Sequence, residues 1–464
     1  MASAKRIASI DMIRGIAIAG MVLCSSIGFY SGLPAWMFHA QTPPPTYEFN
    51  PSVAGITWVD LVFPFFLFSM GAAFPFAMRK RLENGKGRWS VAGSLVKRWA
   101  ILAIFAILLG NAYTIGASSA PAWQQWLFSI TLWIALFLSL VRINFSAEGW
   151  RRHLGTAVNL SGVAIIILLA SLFTSHFGLE INKGTSDIII MILAVIAIAG
   201  GLVWIFTKDS LKLRWFVFLV VAAIKAIDSY LPQALDFVPS CSCIGWFFNW
   251  EWLQYLLIVI PGSIVGDMIL EHSRLERRPE VSNGEVAAAF VAFVAVVLQL
   301  WGLFTRNLLE DFIISALLAA SFIALTWKKR SIFVPTAFIG FILMLAGIGF
   351  DPIDGGITKD YCNLSYLFTT GGMAALLTSF LLVLELRFSV KGAFLAGVGQ
   401  NPMLAYTVTG FLIGPLLNFA CILPWLSSLA LDSQFWGVMM GVIITFLMMC
   451  TTYLFTKLKL FWRS

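Results

Sequence analysis

The segment "GITWVDLVFPFFLFSMGAAFPFAM" (residues 55–78) is long enough to cross a membrane as one helix. A helix of about 18 or more apolar residues spans a hydrocarbon core of about 30 Å. Runs of this kind recur from end to end of the chain, about 14 in all. The pattern predicts an all-α fold, a polytopic integral membrane helical bundle of about 11–14 transmembrane helices.

The composition leaves little room for a soluble domain. Of the 464 residues, 59% are hydrophobic and 12% are charged, whereas soluble domains are about half apolar and about a quarter charged. We therefore predict one transmembrane domain over residues 1–464, with the most specific motifs in residues 1–85 and the remaining helices in residues 86–464. The first apolar run is too long for a signal peptide and lacks a cleavage site, so we expect a retained first helix.

The 31 Lys and Arg residues are distributed unevenly between the loops. With the N-terminus inside, most of them fall in inner loops such as 79–88 and 208–214, whereas Lys183, Arg306 and Lys359 fall outside. The positive-inside rule then places both termini in the cytosol. Contact with anionic membrane lipid accounts for the basic excess, so we predict no nucleic-acid partner.

Three longer loops fall on the outer side, over residues 32–55, 232–249 and 351–362. Their Pro, Gly, Asp and aromatic residues are typical of loops that close over a substrate. No set of Cys and His residues in the sequence has the spacing of a zinc site, so we predict no metal.

A histidine and an aspartate flank the first of these loops. His39 is one of four histidines, and Asp60 lies about one turn into the next apolar segment. Pro64 clashes with a helical carbonyl four residues earlier, so we expect the Asp60 carbonyl to be a spare acceptor. An imidazole beside a carboxylate suits proton transfer at neutral pH. The alternatives are a solvated loop histidine and an aspartate that only caps its helix.

Two further pairs of charged residues lie within apolar segments, where a charge costs free energy and marks a site by default. Asp11 and Arg14 share a helix face, either as an interfacial ion pair or as an anion site built on the arginine fork. Lys225 and Asp228 have the same spacing, which favours a structural ion pair.

Two inner segments carry polar or small residues. Asn401 precedes a proline at the start of an apolar segment, so it is either an N-cap or a site residue. The small residues of "PGSIVGD" (residues 261–267) indicate close packing between helices.

Six stretches of the chain carry a resemblance to a known family: "RIASIDMIRGIAIAGMVL", "FHAQTPPP", "GITWVDLVFPFFLFSMG", "PGSIVGD", "GGITKDYCNLSYLFTTGG" and "GQNPMLAY". Together they resemble the transmembrane acyltransferases typified by heparan-α-glucosaminide N-acetyltransferase, and most of all a bacterial NagX-like branch. The resemblance is strong from about residue 6 to 80 and recurs in patches to about residue 410.

The resemblance implies an N-acetyltransferase that uses acetyl-CoA as co-substrate. The acetyl group would pass from the cytosolic side to the amine of a glucosamine-type sugar, free or at a glycan end, on the periplasmic side. The resemblance also implies a bacterial inner-membrane location and a homodimer. The implied site residues are catalytic His39 and Asp60; substrate-binding Ser25, Ser26 and Lys359; and cofactor-binding Asp11, Arg14, Lys97, Arg98 and Asn401.

Two departures from the family pattern concern the acceptor. Ser25 or Ser26 stands where members often have an asparagine, and a longer loop separates His39 from the "DLVFP" motif. Both changes are expected to reshape the acceptor pocket.

Three other functions fit parts of the sequence. A secondary transporter for an amino sugar would centre on Lys225, Asp228 and Asp267 near the membrane midplane. An O-acetyltransferase of an envelope polysaccharide would use the same donor with a hydroxyl acceptor. A purely structural membrane protein would leave the burial of Asp11, Asp60 and Asn401 without a reason.

Overall fold

The computed structural model describes residues 7–28, 32–142, 151–182, 184–231, 250–275, 280–329 and 331–462. Lys183 and the predicted outer loop 232–249 lie outside the described residues. The helices are α1 (Ala8–Ser26), α2 (Trp58–Glu83), α3 (Arg88–Tyr113), α4 (Ala122–Leu140), α5 (Arg151–Ser175), α6 (Ile188–Thr207), α7 (Leu211–Tyr230), α8 (Trp250–Leu253), α9 (Leu256–Ser273), α10 (Asn283–Thr305), α11 (Leu308–Leu325), α12 (Phe333–Phe350), α13 (Leu364–Phe388), α14 (Ala393–Gly399), α15 (Pro402–Val408), α16 (Gly414–Phe419), α17 (Ile422–Asp432) and α18 (Gln434–Lys457).

Thirteen helices of the described residues are long and apolar enough to cross a membrane. The predicted fold class, an all-α polytopic membrane bundle, is thereby confirmed, and the number of helices lies within the predicted range. The chain is a multi-pass membrane protein. Two strands of two residues each, β1 (Val141–Arg142) and β2 (Phe461–Trp462), form a short antiparallel pair.

Helix α7 has 20 residues but is not among the thirteen, because it carries four charged side chains. Two of these charged side chains, Arg214 and Lys225, are buried. Arg214 is 2% exposed, and its guanidinium lies 2.6 Å from the Asp267 carboxylate on α9. The predicted Lys225–Asp228 pair is present at 3.4 Å. Because ion pairs offset the cost of these charges, α7 fits the remaining predicted apolar segment.

The chain divides into two compact units. The first contains Met1–Ala17, Leu33–Lys97 and Val195–Ala396; the second contains Ile18–Gly32, Arg98–Ala194 and Gly397–Ser464. The single transmembrane domain over residues 1–464 stays a prediction.

Helix α13 is the centre of the first unit. Almost every residue from Leu364 to Val383 is buried, and the helix packs against α2, α7, α9, α10 and α12. Hydroxyls on α13 bond to their own helix: Thr370 and Thr378 each donate to the carbonyl four residues earlier. These two hydroxyls are therefore satisfied without solvent, as a membrane interior requires.

Helices α2 and α9 pack with their backbones in contact. A Cβ atom added at Gly71 would lie 2.2 Å from the Val259 carbonyl oxygen, and one at Gly266 would lie 2.3 Å from that of Ala72. Small residues allow this approach, which stabilises helix pairs in membranes through van der Waals contact. The close packing predicted from "PGSIVGD" is confirmed.

The variant Gly266→Ala is expected to destabilise the protein by about 1–3 kcal/mol, because the new methyl group forces α9 away from α2. Gly93→Ala is the matched control, since nothing lies within 4 Å of a Cβ at that helical position, and alanine there is expected to stabilise α3 by about 0.5–1 kcal/mol. Thermal unfolding in detergent measures both. Equal effects of the two substitutions would contradict the packing argument.

The second unit is held together by amide side chains at the ends of its helices. Asn159 of α5 donates to the Leu138 and Val141 carbonyls at the end of α4, at 2.8 and 3.0 Å. Asn401 donates to the Leu460 carbonyl at 2.9 Å and accepts from the Trp462 amide at 3.1 Å. Asn401 stands at the N-cap position of α15 but makes no capping hydrogen bond there.

Candidate active site

His39 and Asp60 are in direct contact in the first unit. His39 closely follows a short 3₁₀ turn, Ala35–Met37, and Asp60 lies in the first turn of α2. Imidazole Nδ1 lies 2.5 Å from carboxylate Oδ1. The Asp60 side chain is fully buried, whereas the His39 side chain is 35% exposed. The carboxylate is therefore shielded from water while the imidazole remains accessible.

The other carboxylate oxygen of Asp60 begins α2. Oδ2 accepts the Thr57 amide at 2.9 Å, while the Thr57 side chain accepts the Val59 amide, so the two residues form a capping box. Thr57 Oγ1 also donates to the Phe38 carbonyl at 2.6 Å. This bond fixes the residue before His39, so the helix cap and the imidazole are positioned together. Asp60 thus caps its helix and also contacts His39.

Lys359 completes the cluster. Its Nζ lies 3.1 Å from Nδ1 and 3.3 Å from Nε2 of His39, and 3.9 Å from Asp60 Oδ1. An ionised carboxylate only accepts hydrogen bonds, so we assign the ring hydrogen to Nδ1 and the lone pair to Nε2. The structure therefore brings together three predicted site residues, two catalytic and one substrate-binding.

Two loops that the sequence places on the same predicted side meet to make this cluster. The Gly55 amide donates to the Ile357 carbonyl at 2.8 Å. Arg306 makes two bonds of 2.8 Å to the Asp351 carboxylate, which also accepts the Ile357 amide at 2.7 Å. Paired arginine–carboxylate bonds are directional, so the segment that carries Lys359 is fixed against the turn at Arg306, and the Gly55–Ile357 bond joins it to the segment that carries His39.

Tyr366 supplies the donor that Pro64 cannot. Its hydroxyl donates to the Asp60 backbone carbonyl at 2.8 Å, and the ring is 1% exposed. In an uninterrupted helix the amide of residue 64 would occupy that carbonyl, but a proline has no amide hydrogen. The predicted spare acceptor is thereby confirmed. Tyr366 itself was not predicted, although the spare acceptor signalled that a buried donor was needed.

The variant Tyr366→Phe is expected to destabilise the protein by about 1–3 kcal/mol, because a buried carbonyl loses its donor while the ring shape is kept. The control is Tyr361→Phe, whose ring is 60% exposed and which is expected to change little. Thermal unfolding in detergent compares the two. A Tyr366→Phe protein as stable as the control would show that the bond contributes nothing.

A family profile described as "Domain of unknown function (DUF5009)" matches residues 6–269, more than half of the chain. The chain belongs to the DUF5009 family. The matched region includes His39 and Asp60, whereas Lys359 and Tyr366 lie beyond it.

This DUF5009 member is also similar to two mammalian enzymes. Heparan-alpha-glucosaminide N-acetyltransferase of Mus musculus is 30% identical over 118 residues, which are 25% of this chain and 16% of that protein. The Homo sapiens protein of the same name is 33% identical over 116 residues, which are 25% of this chain and 15% of that protein. The matched region is thus about a sixth of the length of these curated relatives.

Two further titratable groups of the DUF5009 chain lie beside the cluster. Although much of Asp360 is exposed, desolvation by the surrounding protein raises the pKa of its carboxyl, against the attraction of Lys359. Burial raises the pKa of the Cys362 thiol to about 12, so this thiol is protonated at neutral pH. Reactivity requires the thiolate, and Cys362 is therefore not a competing nucleophile.

Arg14 reaches α2 below the cluster. Its Nε donates to Ser69 Oγ at 3.3 Å, one terminal nitrogen donates to the Ser69 carbonyl at 3.1 Å, and the other lies 3.8 Å from the Asp11 carboxylate. Ser69 is nine residues beyond Asp60, about 14 Å along the helix axis. The Arg14 side chain is 13% exposed, so its charge lies within the protein.

The remaining predicted site residues are placed as follows. Lys97 is exposed on α3 in the first unit. Ser25, Ser26, Arg98 and Asn401 belong to the second unit; Ser25 donates to the Val22 carbonyl of its own helix. Their roles in binding substrate or cofactor stay predictions.

Among the described residues, no group of three or more His, Cys, Asp and Glu side chains is arranged to hold a metal ion.

A cavity of about 290 Å³ lies at the far end of α2. Its lining residues are Arg79, Leu82, Glu83, Trp204, Lys208, Asp209 and Asp267. Hydrogen bonding from Lys208 lowers the pKa of the Asp209 carboxyl, so that group is ionised at neutral pH. Three acidic groups against two basic ones give the lining a net negative charge, which disfavours a phosphate ligand.

Proposed function

We propose that this protein is a transmembrane acetyltransferase. It would move an acetyl group from cytosolic acetyl-CoA to the amine of a glucosamine-type sugar on the periplasmic side of a bacterial inner membrane, as a member of the NagX-like branch. The observation that carries the proposal is the 2.5 Å contact between His39 Nδ1 and Asp60 Oδ1. A carboxylate that orients an imidazole is the arrangement that acyl-transfer enzymes use to activate a nucleophile.

His39 would act as the general base. Asp60 holds the ring hydrogen on Nδ1, which leaves Nε2 to accept a proton from the ammonium group of the acceptor. The free amine then attacks the thioester carbonyl, the new C–N bond forms, and the C–S bond breaks. The CoA thiolate leaves and takes the proton from Nε2, and the second amine hydrogen is released as a proton. A second route, in which Nε2 first accepts the acetyl group itself, uses the same two residues.

Lys359 would stabilise the negative charge that develops on the thioester oxygen. A cation fixed beside the reacting atoms lowers the barrier because it needs no reorganisation when the charge appears. The Lys359 ammonium lies close enough to Nε2 of His39, at 3.3 Å, to serve an oxygen formed there. Lys359, predicted from the sequence to bind substrate, would thus also take part in the chemical step.

The phosphates of the CoA donor would be held by cations. Arg14, which contacts Ser69 near the middle of α2, is a candidate because a guanidinium presents paired donors to an anion. Lys97 of the same unit is a second candidate, and the role of Arg98, which belongs to the second unit, stays a prediction. Asp11 would orient Arg14, from which it lies 3.8 Å away. Asn401 would contribute less than expected, since its amide already bonds to the Leu460 and Trp462 backbone.

The test is an assay of the purified protein in detergent with labelled acetyl-CoA and glucosamine. We expect N-acetylglucosamine and free CoA to form in equal amounts. If the protein acetylates a hydroxyl of a polysaccharide and leaves the glucosamine amine unmodified, the amine is not the acceptor and the O-acetyltransferase alternative is supported. Glucosamine uptake into vesicles without any release of CoA would favour the transporter and overturn the proposal. The buried Arg214–Asp267 pair, at 2.6 Å, already gives one of the transporter's key acids a structural role.

A further inference from the structure

Lys359 presents to His39 the same chemical group as the proposed acceptor. Its primary amine lies 3.3 Å from the Nε2 atom that would deprotonate an incoming sugar amine. The side chain is 29% exposed, so an acetyl donor that reaches His39 also reaches Lys359. The loop contact between Gly55 and Ile357 holds this arrangement in place.

We propose that Lys359 is a self-acetylation site that is modified when acetyl-CoA is present and the acceptor is absent. This inference rests on the proposed function. His39 Nε2 accepts a proton from the Lys359 ammonium, and the free Nζ attacks the thioester carbonyl. The N–C amide bond forms, the C–S bond breaks, and the thiolate leaves as CoA thiol with the proton from Nε2. The second amine hydrogen is released as a proton.

Neighbouring nucleophiles are less suited to accept the group. The Cys362 side chain is 3% exposed, and its thiol is protonated at neutral pH. The Tyr366 hydroxyl is 2.8 Å from the Asp60 carbonyl and is committed to that bond. Asp360 carries no nitrogen and would give a mixed anhydride, which water hydrolyses. Lys359 is therefore the group near His39 that would form a stable acetyl product.

Acetylation of Lys359 would switch the site off. The amide carries no positive charge, so the ammonium that lies 3.9 Å from Asp60 Oδ1 would be lost. The stabilising cation for the thioester oxygen would disappear with it. A bound sugar amine would compete for His39 and protect Lys359, so the site would be modified only when donor accumulates without acceptor.

The experiment is mass spectrometry of the protein after incubation with labelled acetyl-CoA alone. The chymotryptic peptide containing Lys359 is compared with the peptide containing Lys86, which is exposed between α2 and α3 and reports purely chemical acetylation. We expect Lys359 to be labelled about a hundredfold faster than Lys86, the lower end of what a positioned base contributes. Added glucosamine should suppress the Lys359 label alone.

Two variants separate catalysis from simple exposure. His39→Gln keeps a polar side chain, and its folding is checked by thermal unfolding. In this variant the Lys359 label should fall to the rate of Lys86. Lys359→Arg keeps the charge and should resist the loss of activity that preincubation with acetyl-CoA causes in the wild type. Equal labelling of Lys359 and Lys86, or an unchanged Lys359 rate in His39→Gln, would overturn the inference.

The outcomes also distinguish this inference from the function on which it rests. If glucosamine is acetylated while Lys359 stays unmodified, the self-acetylation proposal is wrong and the transferase proposal is retained. Absence of both products would remove the transferase and self-acetylation together.

Discussion

The variant His39→Ala is expected to reduce acetyl transfer to glucosamine by about a hundredfold to ten-thousandfold, the range attributed to a positioned general acid or base. Nε2 of His39 faces Lys359 at 3.3 Å. No histidine other than His39 belongs to the cluster described above, so no second imidazole is at hand to replace it. Because removal of the imidazole leaves the buried Asp60 carboxylate without its 2.5 Å partner, some loss of stability is expected, and activity is compared at a temperature where thermal unfolding shows both proteins folded.

The control for this variant is His176→Ala. His176 is an exposed histidine that contacts Gln124 at 3.0 Å, and its loss should leave acetyl transfer unchanged. Single-turnover measurements with labelled acetyl-CoA follow the chemical step directly. A His39→Ala protein that keeps a tenth or more of wild-type activity would remove histidine chemistry from the mechanism.

Asp60→Asn is expected to lower kcat by up to about ten-thousandfold, the loss that an enzyme with a carboxylate–imidazole pair shows for the same change. An asparagine amide can donate to Nδ1, which then becomes an acceptor and moves the ring hydrogen to Nε2. The base is lost although every heavy atom keeps its place. The KM for acetyl-CoA should stay the same, because Asp60 Oδ1 contacts His39 at 2.5 Å and not the predicted donor residues.

Asp209→Asn serves as the matched control, since that carboxylate is 62% exposed at the far end of α2. The asparagine oxygen in Asp60→Asn can still accept the Thr57 amide, so the helix cap should survive and thermal unfolding should shift only slightly. A fall in kcat that is matched by a collapse of the folded protein would point to capping alone as the role of Asp60.

Much of the fold follows from the sequence because the membrane restricts the choice of structure. Long apolar runs have to form helices, since backbone groups in lipid need partners within their own segment. The segment of α7 was predicted despite its four charged side chains, but its sequence did not show that Arg214 pairs with Asp267 on α9. The glycines of residues 261–267 predicted close packing between helices, because small residues let backbones approach, and the structure identifies α2 as the partner.

The site was predictable in part. His39 and Asp60 are 21 positions apart, and Pro64 indicated that the Asp60 carbonyl needed a donor. The donor, Tyr366, comes from a residue 306 positions away, and spacing along a chain carries no information about such a pair. For the same reason the sequence pointed to Lys359 without predicting that its ammonium lies against His39, 320 positions away.

One carboxylate serves two purposes in this protein. Oδ2 of Asp60 caps the start of α2 and Oδ1 orients the His39 imidazole. A substitution at this position is therefore expected to lower both the amount of folded protein and the turnover rate. Residues 41–54 of the same loop neither cap α2 nor contact the His39 imidazole. Natural divergence in acceptor preference, and directed evolution toward new amines, should therefore accumulate in that stretch while residues 57–60 stay fixed.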